Sequence, residues 1–291
     1  NYTDSVCYLT ITQEAKKSRL FSFDNKKWRD FLVKIRKVHD QLHDAGVQAK
    51  FLNKAEASEY VDRYFAMNFK DRIVSMTNFK ASDEYLKIGD RVVRSYPLVD
   101  IDEINLPSLV KPYTQMNING YGIATDLFSF LTSVPHADCV VFNQVVQIPN
   151  QRKLLRKLQA KAKRHGSMPV PSNKIAKEDI EEVLDRLAVD STQLVYCNFN
   201  ILVSCPADKV TPVTSYLETK LYECGIMPSR TAYNQLELFT DSFPGNGYAF
   251  NPGYDLFLTL SDAALCFFFK EHLKGSEDTC LLYTSPSPRD S

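Results

Sequence analysis

Two hydrophobic periods alternate along this sequence. From Cys7 to Thr12 the apolar residues recur at every second position, which is the spacing of a strand with one buried face. From Lys26 to Ala45 they recur at helical spacing, and Gly46 follows where a helix C-terminus favours a residue with positive φ. Segments of both kinds continue to about residue 279. The pattern therefore predicts a fold that contains both helices and strands.

Turn signals indicate that the strands pair in antiparallel fashion. Two β-prone runs between Tyr85 and Val99 are separated by Gly89-Asp90, which is the pattern of a hairpin. Residues 138–148 and 194–205 are predicted as further strands. Because hairpins and alternating strands favour antiparallel pairing, we predict an α+β fold with mixed, largely antiparallel sheets and packed helices.

The order of these segments predicts two α/β lobes. The first lobe spans residues 1–119, and the second spans residues 120–279 with an inserted helical hairpin at residues 150–189. Residues 280–291 resemble the translation of a sequencing adapter and have no hydrophobic pattern that could fold. We expect this tail to be artefactual or disordered.

The predicted helical hairpin has oppositely charged helices. Its first helix is strongly basic and its second is acidic, with a break at residues 166–171. Candidate partner-binding residues in the first helix are Arg152, Lys153, Arg156, Lys157, Lys161 and Arg164. The simpler interpretation is a solvated helix that the acidic helix partly neutralises. The basic helix has no stacking aromatics, so we expect it to contact an acidic protein surface rather than DNA.

Composition excludes several classes of function. The chain has 35 basic residues (lysine and arginine) and 35 acidic residues (aspartate and glutamate). Its net charge is therefore zero, and no overall electrostatic attraction draws it to nucleic acid or anionic lipid. The longest apolar run, residues 263–269, is far shorter than a membrane-spanning helix. Seven cysteines without a CxxC pair are typical of reduced thiols. We therefore expect a cytoplasmic protein.

A nucleotide site of the P-loop type is not encoded in these residues. Such a site needs GxxxxGK[ST], because backbone N–H groups wrap the phosphates while the lysine neutralises them. The richest glycine stretch, Pro244 to Gly253, has no Lys-Ser or Lys-Thr after it. We predict no catalytic residue, no cofactor and no metal in these residues, and neither binding nor hydrolysis of ATP.

Two weaker patterns suggest other chemistry. His39 and His43 have a spacing that could place two imidazoles on one metal, but no third ligand is evident. Exposed helix positions flanked by Asp40 and Asp44 explain them more simply. His136 and Cys139 could serve a thiol hydrolase, although catalytic partners seldom lie so close along a chain. These patterns leave a cysteine hydrolase as a remote alternative.

Five segments resemble one protein family. Phe243-Pro244-Gly245-Asn246, Tyr254 to Ser261 and Ala263-Ala264-Leu265-Cys266-Phe267-Phe268 resemble the "PGN … F-T-x-S-x-x-A-L-C-F-F" region of TraG-type conjugative-transposon ATPases. Upstream, Asn1 to Thr12 and Tyr85 to Val99 are similar to a strand and a hairpin of that family. The likeness covers most of residues 1–279, and its segments follow the family's order.

The resemblance implies the N-terminal docking and assembly region of an ATPase that powers conjugative DNA transfer through a type IV secretion system. Members of the family act in the cytoplasm, peripheral to the inner membrane, and bind the secretion system's inner-membrane components. Their motor part is hexameric and uses ATP and magnesium, but its Walker motifs have no counterpart here. The alternative that the residues themselves leave open is a nucleic-acid-binding α+β protein that uses the basic helix at residues 151–164.

Overall fold

A computed structural model describes residues 6–13, 25–70, 79–97, 114–118, 121–125, 128–167, 170–189, 192–224, 226, 228, 234–250, 255–261 and 264. The helices are α1 (Asn25–Asp44), α2 (Lys54–Ala66), α3 (Gln151–Gly166), α4 (Pro171–Val189), α5 (Val210–Glu223) and α6 (Gln235–Asp241). The strands are β1 (Phe79–Ala81), β2 (Leu86–Ile88), β3 (Arg91–Pro97), β4 (Thr114–Ile118), β5 (Tyr121–Thr125), β6 (Cys139–Gln147), β7 (Leu194–Pro206) and β8 (Phe257–Leu260). Every strand pair in this part of the chain is antiparallel, which confirms the predicted α+β fold.

The main sheet is organised around β7. One edge of β7 pairs with β6, and the other edge pairs with β3 and, further along, with β8. Strands β2 and β1 continue the sheet beyond β3, while β4 and β5 form a separate hairpin. Because β7 has 13 residues, one strand is long enough to pair with two others along the same edge.

Both faces of β7 are buried, and each face has its own core. On one face, Phe199, Ile201 and Val203 pack with Leu217 and Leu221 of α5. All of these side chains are essentially inaccessible to solvent. Burying a side chain of this size contributes about 1.5–3 kcal/mol to the free energy of unfolding. A continuous apolar strand with few polar interruptions is the sequence pattern that produces such double-sided burial.

The opposite face of the sheet is covered by α2 and α6. Leu202 of β7 packs with Tyr60 and Tyr64 of α2 and with Phe239 of α6. The Tyr64 hydroxyl donates a hydrogen bond of 2.7 Å to the carbonyl oxygen of Phe239, so its polar tip is satisfied inside the core. Burial raises the pKa of the Tyr64 phenol above its ordinary value. The sheet therefore lies between helices on both sides.

Several predicted local structures are confirmed, and one is wrong. The helix predicted from Lys26 corresponds to α1, and the hairpin predicted after Tyr85 corresponds to β2 and β3, with Gly89 at φ 64° in its turn. Residues 7–12 form no strand, although their apolar alternation predicts one. Instead, the Tyr8 ring contacts the Tyr60 ring of α2 in a tilted arrangement, with centroids 4.2 Å apart. A strand needs a neighbouring backbone to pair with, and residues 7–12 pair with none in the described part of the chain.

The two predicted lobes contribute to one sheet. Strand β3 belongs to the range 1–119, and its partner β7 belongs to the range 120–279. The boundary between the lobes stays a prediction. The tail at residues 280–291 lies outside the described residues. Within the described ranges, no helix has both the length and the apolar character needed to cross a bilayer.

Candidate partner-binding surface

The helical hairpin predicted at residues 150–189 is formed by α3 and α4, and it begins at a defined anchor on the sheet. Asn150 caps α3, since its side-chain oxygen accepts a hydrogen bond of 3.1 Å from Lys153 N. In the next residue, the Gln151 side chain bonds both backbone groups of Leu194, the first residue of β7. The start of α3 is thus held by the strand at the centre of the sheet.

A leucine stripe attaches the hairpin to the sheet. Leu154 of α3, Leu194 of β7 and Leu260 of β8 form a small buried core. Half-buried side chains from the same elements and from α4 complete it: Leu155, Leu158, Val183, Leu187, Tyr196 and Leu258. Because α3 commits its apolar side to this core, the rest of its circumference is left for solvent.

The far end of the hairpin is held by local contacts. His165 Nδ1 lies 2.8 Å from Asn173 Oδ1, which joins the end of α3 to the start of α4. A methyl group added at Gly166 would lie 3.3 Å from Lys177 Cδ, so the glycine leaves room for this side chain of α4. The hairpin is therefore fixed at both ends, which gives its surface a defined shape.

The six candidate cations form one exposed face of α3. At 3.6 residues per turn they occupy the half of the helix that lies opposite the leucine stripe. All six are exposed: Arg152, Lys153, Arg156, Lys157, Lys161 and Arg164. Within the described part of the chain, none of them takes part in an ion pair. We call this surface the basic face.

The acidic helix does not neutralise the basic face through direct pairs. Glu178 and Glu181 of α4 face lysines of their own helix, with N–O distances of 3.9 Å to Lys174 and 3.4 Å to Lys177. Such exposed pairs within a helix contribute only a few tenths of a kcal/mol. The positive charge of α3 is consequently open to a partner.

The first half of the family-like motif forms a structured turn after α6. Gly245 has φ 102°, a conformation that favours glycine, and it follows Pro244. The side-chain amide of Asn246 donates a hydrogen bond of 2.9 Å to the Thr240 carbonyl oxygen, which ties the turn to the end of α6. The Pro-Gly-Asn sequence thus has a structural role in the described fold.

Two glutamines of β6 connect the sheet to the residue that follows the Pro-Gly-Asn turn and to Ala264 of the motif. Gln147 Nε2 donates a hydrogen bond of 2.9 Å to the Gly247 carbonyl oxygen. Gln144 Nε2 donates one of 3.1 Å to the carbonyl oxygen of Ala264, which is buried. The remaining motif residues Leu265, Cys266, Phe267 and Phe268 lie outside the described residues. These glutamines are not predictable as binding residues from the sequence, where their only signal is an amide within a valine-rich strand.

The histidine and cysteine candidates lack the environment of a reactive site. Burial, together with the neighbouring Asp138 carboxylate, raises the pKa of the Cys139 thiol to about 12, opposite to the shift a nucleophilic thiolate needs. Asp138 is engaged by Arg91, with an N–O distance of 2.6 Å. His39 Nε2 lies 3.0 Å from the Ala49 carbonyl oxygen. No group of three potential metal ligands occurs among the residues that the structure describes.

The sequence matches no protein-family model and no curated protein sequence. The resemblance to TraG-type ATPases stays a prediction. What the described residues provide is an exposed basic face on a helix whose start is hydrogen-bonded to β7.

Proposed function

We propose that this chain is the docking and assembly region of a TraG-type conjugative-transfer ATPase. In this proposal the chain lies in the cytoplasm, peripheral to the inner membrane, and binds inner-membrane components of a type IV secretion system. ATP and magnesium are used by a motor part outside these residues, and that motor part forms the hexamer. The observation that carries the proposal is the exposed, unpaired basic face on a helix anchored to the central strand.

A docking role fits the way in which α3 is mounted. Its apolar side is committed to the leucine core, and its first residue bonds the backbone of β7. Binding to a pre-ordered surface avoids the entropic cost of ordering a flexible segment. The proposal is also supported by the order of the family-like segments along the chain, of which the Pro244-Gly245-Asn246 turn is tied to α6 and to β6.

The partner that we propose carries an acidic surface. Six cations on one half of a helix attract negative charge over about 10 Å at 0.1 M salt, which accelerates encounter. The basic face has no aromatic residue on which bases could stack. A protein surface rich in carboxylates is therefore the partner that fits best.

Conjugative transfer by a host that carries the parent gene tests this role. Arg156→Glu with Lys157→Glu in the parent protein should lower the transfer frequency by roughly tenfold or more while the protein accumulates normally. Lys80→Glu with Lys87→Glu is the matched control, because these exposed lysines face each other across β1 and β2, away from α3. Normal transfer with the α3 variant, or an equal loss with the control, would contradict the proposed role.

Nucleic acid is the second candidate partner, because the same exposed cations could contact phosphates. Fluorescence anisotropy with labelled single-stranded DNA distinguishes the two. We expect no saturable binding in the low micromolar range at physiological salt. Salt-sensitive binding that is lost in the Arg156→Glu, Lys157→Glu variant would favour the nucleic-acid function instead.

A further inference from the structure

Helix α1 exposes an apolar stripe. It has 20 residues, yet none of its described side chains is buried, whereas the shorter α2 buries Tyr60 and Tyr64. Trp28 is 48% exposed and Leu32 is 38% exposed. Together with Ile35 these residues recur at helical spacing, so they lie on one side of the helix. A helix of this length usually gains its stability by burying such a side.

The segment after α1 extends the stripe. The Phe51 ring stacks on the His39 ring with their centroids 4.9 Å apart, and His39 lies one turn beyond Ile35. His39 also bonds the Ala49 carbonyl oxygen through Nε2 at 3.0 Å, which holds this segment against α1. Phe51 nevertheless remains 61% exposed. The aromatic rings at both ends of the stripe are therefore accessible.

Basic residues border the stripe on both sides. Arg29 and Arg36 lie along one side and Lys27 and Lys34 along the other, as the helical spacing of their positions requires. Lys26 and Lys37 add positive charge to the same N-terminal part of α1. Asp30 is the only acidic residue between positions 26 and 37. The charge is local, since the chain as a whole has a net charge of zero.

The two basic helices of this protein differ in where their apolar residues point. In α3 the leucines face the protein core, and most of the exposed positions are charged. In α1 the apolar stripe and the cations are exposed together. A surface that combines exposed tryptophan and leucine with flanking lysine and arginine matches the boundary between acyl chains and anionic headgroups.

We propose that α1 binds the surface of a bilayer that contains anionic phospholipids. The helix lies in the plane of the membrane, with Trp28, Leu32 and Phe51 among the acyl chains. The lysines and arginines at its borders reach the phosphate groups. This proposal rests on α1 alone and holds whether or not α3 binds secretion components.

Trp28 offers a direct measurement, because it is the single tryptophan of the chain. Vesicles of phosphatidylethanolamine with one quarter phosphatidylglycerol should shift its emission to the blue, and brominated acyl chains should quench it. Vesicles of phosphatidylcholine alone should produce neither effect. The absence of a shift with anionic vesicles, or an equal shift with both kinds, would overturn the proposal.

Variants locate the binding on α1, with vesicle flotation as the readout. Arg29→Glu with Arg36→Glu should weaken binding by about tenfold or more, and Leu32→Gln by roughly fivefold. Arg152→Glu with Arg156→Glu makes the same charge change on α3 and should leave vesicle binding unchanged. Circular dichroism verifies that each variant is folded. Loss of binding only in the α3 variant would overturn the proposal.

If a protein rather than lipid covers the apolar stripe of α1, the experimental result is different. If α1 instead joins two copies of this chain, sedimentation velocity without lipid will reveal a dimer that Leu32→Gln dissociates. The lipid proposal predicts a monomer that keeps its exposed Trp28 until anionic vesicles are added. A lipid-free dimer with a blue-shifted Trp28 emission would overturn it.

Discussion

The side chain of Gln151 makes with Leu194 both hydrogen bonds that a neighbouring strand would make. Gln151 Nε2 donates to Leu194 O at 2.9 Å, and Leu194 N donates to Gln151 Oε1 at 3.0 Å. Gln235 of α6 repeats this arrangement with Ser95 of β3, with distances of 2.8 Å and 3.2 Å. Backbone groups at two sites of the sheet are thus satisfied by glutamine amides.

Replacing Gln151 by alanine should lower the free energy of unfolding by about 1–3 kcal/mol, because both backbone groups of buried Leu194 lose their partner. Urea unfolding followed by circular dichroism measures the change. Gln159→Ala is the matched control, since Gln159 is exposed on the same helix. Equal stability of the two variants would mean that the Gln151 amide does not anchor α3.

Gly247 permits a close contact between the Pro-Gly-Asn turn and β6. A methyl group added there would lie 2.9 Å from Val145 Cγ1. Gly247→Ala should therefore lower the free energy of unfolding by about 1–3 kcal/mol through overpacking. Adding Val145→Ala should recover part of that loss in thermal unfolding experiments. Strictly additive effects of the two substitutions would contradict the contact.

Alkaline pH should destabilise the fold through its buried thiols. Burial raises the pKa of Cys197 from its ordinary 9.0 to about 12. Between these values the unfolded chain loses the thiol proton while the folded chain retains it. The contribution of this thiol to the free energy of unfolding is therefore fully present below about pH 9. It is lost as the pH rises toward 12, by up to about 1.4 kcal/mol per pH unit.

Cys197→Ala removes this contribution to the pH dependence. Its free energy of unfolding should fall less steeply between pH 9 and 11 than that of the wild type, as measured by urea unfolding at each pH. Cys7 is exposed, so Cys7→Ala should keep the wild-type slope. Identical slopes for all three proteins would show that Cys197 titrates normally in the folded state.

Local sequence patterns were enough to predict the helices and turns that are determined by their own residues. The helical spacing of apolar residues after Lys26 predicted α1, and Gly89-Asp90 predicted the turn between β2 and β3. The alternation at Cys7 to Thr12 was misleading, because a strand also needs a partner that no local pattern reveals. The contact of Tyr8 with Tyr60 depends on residues far apart in the sequence.

The sequence was enough to predict that α3 is rich in cations, but not how its apolar side packs against the sheet. Counting cations from Arg152 to Arg164 identifies the helix, and its leucines suggest an apolar side. That Leu154 packs on Leu194 and Leu260 depends on β7 and β8 lying side by side, which is a tertiary property. The pairing of α4 glutamates with lysines of their own helix likewise follows from side-chain geometry.

The purified chain should not bind ATP. An open groove of about 540 Å³ between β1 and α6 is lined by Asp83 and Glu237, whose carboxylates repel a triphosphate. Phosphoryl transfer also needs a P-loop lysine and a magnesium ligand, and the sequence has no GxxxxGK[ST] to supply them. Calorimetric titration with magnesium-ATP should give no saturable heat. A micromolar dissociation constant would reveal a nucleotide site of another kind.

The reading frame beyond codon 279 in the source genome tests the proposed family most directly. A TraG-type ATPase requires that the frame continue into a GxxxxGK[ST] motif, because its motor needs a loop that wraps the phosphates. We predict that genomic sequencing across this junction finds that motif, with the codons for residues 280–291 replaced by other sequence. An early stop codon, or a long frame without the motif, would contradict the assignment to a conjugation ATPase.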